Sequence, residues 1–197
     1  DVNNWPRCVQ LAWQVHDSLG NCVENKDFLI KPDGYNIPYD SEKIHGISTE
    51  LAKKDGHDLL NVLNEFNEAV KKSKFVIGHN VKFDLNIMGS EFYRAKLENH
   101  LDVAKILDTC YEKTASLCKI PGGRGGKYKF PTLTELHSFL FSKPFSEAHN
   151  ATADVEATTR CFLELIRIKN YSLSELDQED GYYEDFIKQN TSLIKPV

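Results

Sequence analysis

The sequence predicts an α/β domain, a mixed sheet in which an antiparallel hairpin is followed by parallel strands, with helices on both faces. Three observations carry this. Residues 7–31 hold two alternating segments around a turn. Apolar residues recur at helical spacing over 58–72, 81–97 and 151–168. Short apolar runs, Phe75-Val76-Ile77 and Ala104-Lys105-Ile106-Leu107, stand between those helical stretches.

Taken in order, "RCVQLAWQVHD" (7–17) alternates as a strand, "SLGN" turns, and residues 22–31 form its antiparallel partner. Pro32 and Pro38 bound a loop, and residues 41–56 hold two short helical pieces with Gly46 between them. Leu59, Leu60, Leu63, Phe66 and Val70 mark the apolar stripe of a helix over 58–72. A strand over 74–78 follows, then Asn80 as the expected cap of a helix from Val81 to about Leu97. The strand at 104–107 ends in Asp108-Thr109. "CKIPGGRGGKYKFP" (118–131) reads as a loop, 132–140 as a helix, and 151–168 as a longer one with Val155, Thr159, Phe162 and Ile166 on one face. Beyond Tyr171 the pattern weakens to an acidic turn and a tail, so residues 1–170 are the expected domain and 171–197 a C-terminal extension.

At 197 residues the chain is long enough for one domain with its own core. With 24 basic against 29 acidic residues it is mildly acidic, which argues against sequence-independent coating of a duplex. A nuclease stays open, because bound divalent cations neutralise phosphate locally. Cys8, Cys22, Cys110, Cys118 and Cys161 contain no CxxC pair, so they read as small core residues of a reducing compartment. There is no signal peptide and no run of 18 apolar residues, so a cytoplasmic protein without a membrane partner is expected.

The chemistry-bearing residues lie at two strand or helix boundaries. In "GHNVKFDLN" (78–86), Asp84 follows the end of a strand, where an α/β sheet places its ligands. In "EAHNATADVEATTR" (147–160), His149 precedes the last long helix, Asn150 can cap it, and Asp154 lies in its first turns. Taken singly, Asp84 could serve only the helix dipole, His149 a cap, and Asp154 a solvated face. Together they fit one scheme: carboxylates hold Mg²⁺ or Mn²⁺, and a near-neutral histidine takes the proton of an attacking water. Two carboxylates are too few for two metals, so the scheme requires at least one more.

These motifs resemble those of the DEDDh branch of the DnaQ-like 3′–5′ exonucleases, which have a ribonuclease H-like fold and include proofreading enzymes. "GHNVKFDLN" matches the family's second motif through Asp84, and "HNATAD" the third through His149 and Asp154. "KIHGIS" (43–48) matches a segment beside the 3′-terminal nucleotide, with His45 and Ile47 facing it. The resemblance covers about residues 7–168. It implies a catalytic set of His149, Asp84 and Asp154, with Asp84 and Asp154 holding two divalent ions. It further implies a substrate wall of His45, Ile47, Asn80 and Phe83, and Lys127 as a further substrate contact. Phe83 could equally be core, and the Lys119–Lys129 loop could be either a backbone clamp or a plain surface loop. Without a Gly-Lys-Ser/Thr ending it is not a P-loop.

One family feature is missing. The first motif, Asp-x-Glu on a strand ahead of "CVQLAWQ", is absent from "DVNNWPRCVQ". The expectation is that this strand lies at the centre of the sheet, between the hairpin and strand 74–78. It would be contributed by a preceding piece of polypeptide or by a partner, unless it has been removed. The expected activity is metal-dependent hydrolysis of DNA or RNA from a single-stranded or frayed 3′ end, in proofreading or repair, with a DNA polymerase subunit as a candidate partner. The rival is a catalytically inactive nucleic-acid-binding or scaffold domain of the same fold. A nucleotide-binding oxidoreductase would need a glycine-rich turn after the first strand, which is not there.

Overall fold

The computed structural model describes residues 1–146, 148 and 150–191. Strand β1 (Gln10–His16) pairs antiparallel with β2 (Cys22–Leu29), in register from Gln10 opposite Leu29 to Val15 opposite Glu24, with a bulge at Val15/His16. The turn between them is tied by the Asp17 carboxylate, which accepts from the N–H groups of Leu19 and Asn21 at 3.0 Å each. Gly20 there has φ +87°, a left-handed conformation that favours glycine.

Helices α1 (Tyr39–His45) and α2 (Thr49–Asp55) follow, separated by Gly46 in the left-handed region as the spacing predicts. The stripe over 58–72 forms α3 (Leu59–Lys71), whose Val62, Leu63, Ala69 and Val70 are buried. Strand β3 (Phe75–Gly78) leads into α4 (Val81–Ala95), and β4 (Lys105–Asp108) pairs parallel with β3. Then come α5 (Glu112–Cys118), α6 (Leu133–Phe141), α7 (Ala151–Arg167) and α8 (Tyr182–Asn190). This is an α/β, ribonuclease H-like order of elements, an antiparallel hairpin followed by parallel strands, with flanking helices.

Helix α8 was not visible as a pattern. Its Phe186 is fully buried, and Asn190 Nδ2 donates to the Leu19 carbonyl at 2.7 Å. Tyr171, also buried, stacks on Tyr111 at 5.1 Å and donates its hydroxyl to the Asp108 carbonyl at 3.0 Å. Residues 171–190 therefore pack into the same core as α6 and α7. Of the five free cysteines, Cys8 and Cys161 are core residues as expected, but Cys22 is exposed on β2.

The four strands form two pairs, and among the described residues no strand pairing joins β1 to β3. Their relative direction follows from their neighbours. At one end Thr152, at the start of α7, bonds the Asp27 carboxylate, which also accepts from Gln10 Nε2 at 2.9 Å. At the other end Lys72, just before β3, pairs with Glu24, the strand partner of Val15, at 3.2 Å. Strand β3 thus begins near the end of β1, and the two run in opposite directions.

Between them lies a groove of about 1510 Å³ lined along the whole of β1 and β3, with α4 and α7 contributing side chains. It divides the core in two. One cluster joins Trp13 to α3 and α4 through Leu63, Met88 and Phe92; the other joins α6, α7 and α8 through Leu136, Leu165 and Phe186. Only Trp13 is buried in β1, and Ile77 of β3 is 37% exposed, although Phe-Val-Ile-Gly has the composition of a strand covered on both faces. The groove lies where the central strand was expected.

No helix among the described residues is long and apolar enough to cross a membrane.

Candidate active site

The turn from β3 to α4 is built by a carboxylate from the neighbouring strand. Asp108, at the end of β4, accepts from the N–H of Asn80 (2.8 Å) and of Cys110 (2.8 Å) on Oδ1, and from that of Val81 (3.0 Å) on Oδ2. Asn80 does occupy the cap position, but its backbone is left-handed (φ 57°) and its side chain makes no capping bond. The capping function expected of Asn80 is performed by Asp108, because a left-handed Asn80 turns its own side chain away from the free amides and leaves them to β4. Sequence reasoning noted Asp108 only as a strand end; an aspartate next to Thr at the close of a strand was the available signal.

His79 fastens the same turn to the loop before α6. Its Nε2 lies 2.9 Å from the Pro131 carbonyl, which can only accept, so the ring proton is on Nε2 and the Thr109 hydroxyl donates to Nδ1 at 2.8 Å. Burial lowers the pKa of His79, in keeping with a neutral ring.

On this turn stands Asp84, in the first turn of α4. Its carboxyl is pushed up to about 6, first by removal from water and then by the charges of Asp108 and Asp154. The residue as a whole is exposed, since it sits at the mouth of the groove, where neighbouring atoms crowd the carboxyl without closing it off. Asp154 reaches the same mouth from the first turn of α7, whose start is fixed by Asn150 Oδ1 accepting from Thr152 (3.0 Å) and Ala153 (3.2 Å). His149 lies outside the described residues.

His45, Ile47 and Phe83 line the same groove. His45 Nδ1 accepts the N–H of Ile47 at 3.0 Å, and Ile47 is buried against Ile37 and Ala52. Phe83 is not core: it is 51% exposed, with Trp5 edge-on at 6.0 Å. Trp5 was not anticipated in this role. Lys127 is exposed on the glycine-rich loop and does not line the groove; Phe130 and Pro131 of that loop do.

A two-metal centre needs several oxygen donors around each ion. Among the described residues no group of three His, Cys, Asp or Glu could hold a metal ion. Asp84 and Asp154 alone do not fit such a pair of ions.

The fold is that of a ribonuclease H-like α/β domain, with acidic and aromatic groups gathered at a strand-end cleft. A family model described as "Exonuclease" (RNase_T) matches residues 6–162, and the chain belongs to that family, the DnaQ-like 3′–5′ exonucleases. The chain is 27% identical over 183 residues to the DNA polymerase III subunit epsilon of Rickettsia felis, covering 88% of this chain and 75% of that one. It is 24% identical to the PolC-type DNA polymerase III of Mycoplasmopsis pulmonis, covering 89% of this chain but 12% of the larger protein. Escherichia coli exonuclease I in complex with a dA16 oligonucleotide superposes with a TM-score of 0.65 at 23% identity, covering 86% of this chain. The match spans 38% of that exonuclease I chain, and at this identity the likeness concerns the fold.

Proposed function

We propose that this domain binds single-stranded or frayed 3′ ends of DNA or RNA and is the core of a metal-dependent 3′–5′ exonuclease, in proofreading or repair and alongside a DNA polymerase subunit. The observation that carries the reading is the meeting of Asp84 and Asp154 at one groove mouth walled by His45, Ile47 and Phe83. In this reading the exposed Phe83 ring receives the terminal base, with His45 lining the groove beside it, and Asp84 and Asp154 supply part of an ion-binding set. His149 serves as general base toward water, and the remaining oxygen donors come from a further segment seated between β1 and β3.

A second reading, binding without hydrolysis, is favoured for these 197 residues alone by the lack of a three-residue metal-ligating group among the described residues. One assay separates them. A 5′-labelled oligonucleotide is incubated with the chain and Mg²⁺ or Mn²⁺, and products are resolved by length. Stepwise shortening from the 3′ end that is lost in Asp154→Ala supports the exonuclease. Binding without shortening supports the second reading, and cleavage undiminished in Asp154→Ala removes that residue from the site.

A further inference from the structure

The stretch Lys119–Pro131 carries four basic and no acidic residues, in a chain whose net charge is −5. Lys129 is engaged by Glu135 at 2.6 Å, whereas Arg124 and Lys127 make no ion pair among the described residues. Interleaved with these cations are two aromatic rings that face water, Tyr128 (48% exposed) and Phe130 (50% exposed). Phe130 also lines the groove whose mouth holds Asp154.

The loop is shaped rather than loose, despite its glycines. The Lys129 N–H donates to the Ile120 carbonyl at 2.8 Å, and His79 bonds the Pro131 carbonyl at 2.9 Å. Gly123 is held so tightly that a Cβ would lie 2.3 Å from the Lys127 carbonyl oxygen. The closing bond at Pro131 runs to the turn that carries Asp84, so the backbone bearing Phe130 is anchored beside the candidate site. Exposed aromatic rings spaced by cations suit a strand with charged backbone and flat bases, because stacking is indifferent to base identity and the cations meet phosphates. An acidic protein surface would pair with the cations but would not offer a regular row of flat rings to the aromatic side chains.

We propose that Tyr128 and Phe130, with Arg124 and Lys127, form a stacking ledge for the bases of single-stranded nucleic acid next to the terminal nucleotide. The ledge rests on the nucleic-acid reading above. It selects unpaired strands, since bases held in a duplex cannot present a face to the rings.

The test is equilibrium binding by fluorescence anisotropy in EDTA, so that nothing is cleaved. The probes are a fluorescein-labelled oligothymidylate and an abasic strand of the same length with the same phosphates. Phe130→Ala should weaken oligothymidylate binding about tenfold, the scale of one lost stacking contact, and leave the abasic strand unaffected. Phe130→Leu should behave like Ala, and Phe130→Trp should restore binding. Lys127→Ala should weaken both probes and flatten the salt dependence by about 0.7 in slope. Unchanged oligothymidylate affinity in Phe130→Ala, or equal loss on both probes, would overturn the ledge while leaving the nucleic-acid reading in place. If the parent chain binds neither probe, that reading falls and the ledge with it.

Discussion

Removing the Asp108 carboxylate tests how the candidate site is held. Three backbone N–H groups bond to it, two on Oδ1 and one on Oδ2. Hydrogen bonds to charged groups contribute about 1.5–3 kcal/mol each, so three set an upper bound of roughly 4.5–9 kcal/mol. Asn80 is exposed and its N–H can turn to water, while Asp84 gains from losing a like charge beside it. These two effects bring the expected loss in Asp108→Ala to about 3 kcal/mol, or a fall in Tm of roughly 6–12 °C for a domain of this size.

Asp108→Asn divides the effect by atom. Its carbonyl oxygen can keep both bonds at Oδ1, and its amide faces the Val81 N–H with a donor, so about half the loss should remain. Urea denaturation at neutral pH, with equal slopes for the three proteins, measures both values. A loss below about 1 kcal/mol in Asp108→Ala, or an Asn variant as unstable as Ala, would refute the cap.

Three further outcomes are expected. Because the folded pKa of Asp84 is raised to about 6 from 3.8, its contribution to stability is fully present below pH 4 and lost as pH rises through about 6. Asp84→Asn should therefore stabilise the protein above pH 7 and change little at pH 4, as measured by urea melts at both pH values. Glu91 is fully buried and accepts from Arg7 Nε at 2.9 Å and the Cys8 N–H at 2.8 Å, so Glu91→Ala should cost about 3–5 kcal/mol by leaving these donors without their acceptor, again read from urea melts. Of the five thiols, Cys22 alone is exposed, while burial pushes Cys8 and Cys161 up to about 12; titration with a chromogenic disulfide at pH 8 should show one fast thiol, lost in Cys22→Ser.

What could be read from the sequence was what periodicity and turn chemistry encode. The hairpin at 7–31, the stripe Leu59–Val70 and the strand–turn–helix around Asp84 are local patterns, and each forms where its pattern lies. Helix α8 escaped because its burial is set by partners far along the chain, Leu19 among them, while its own sequence is half charged or polar. The cap on α4 escaped for the same reason. Asp108 is distant from Asn80 in sequence and meets it only because β4 lies beside β3. Phe83 sits at a helical spacing that suits core or surface alike, and the groove beside it decides for exposure. Of the candidate residues, Asp84 and Asp154 could be named from motif order, but their shared groove mouth is a property of the assembled fold.

The open groove also bears on how this chain behaves in company. Each unpaired strand edge is a template for another backbone, and natural sheets blunt such edges with charge, proline or cover. Strand β3 has none of these in Phe-Val-Ile-Gly; its neighbouring charge is Lys74, which is occupied by Asp177 at 3.0 Å. The same geometry that leaves room for one more strand therefore makes the isolated chain susceptible to edge-to-edge self-association. Its tendency to associate should rise with concentration more steeply than its acidic composition alone would suggest.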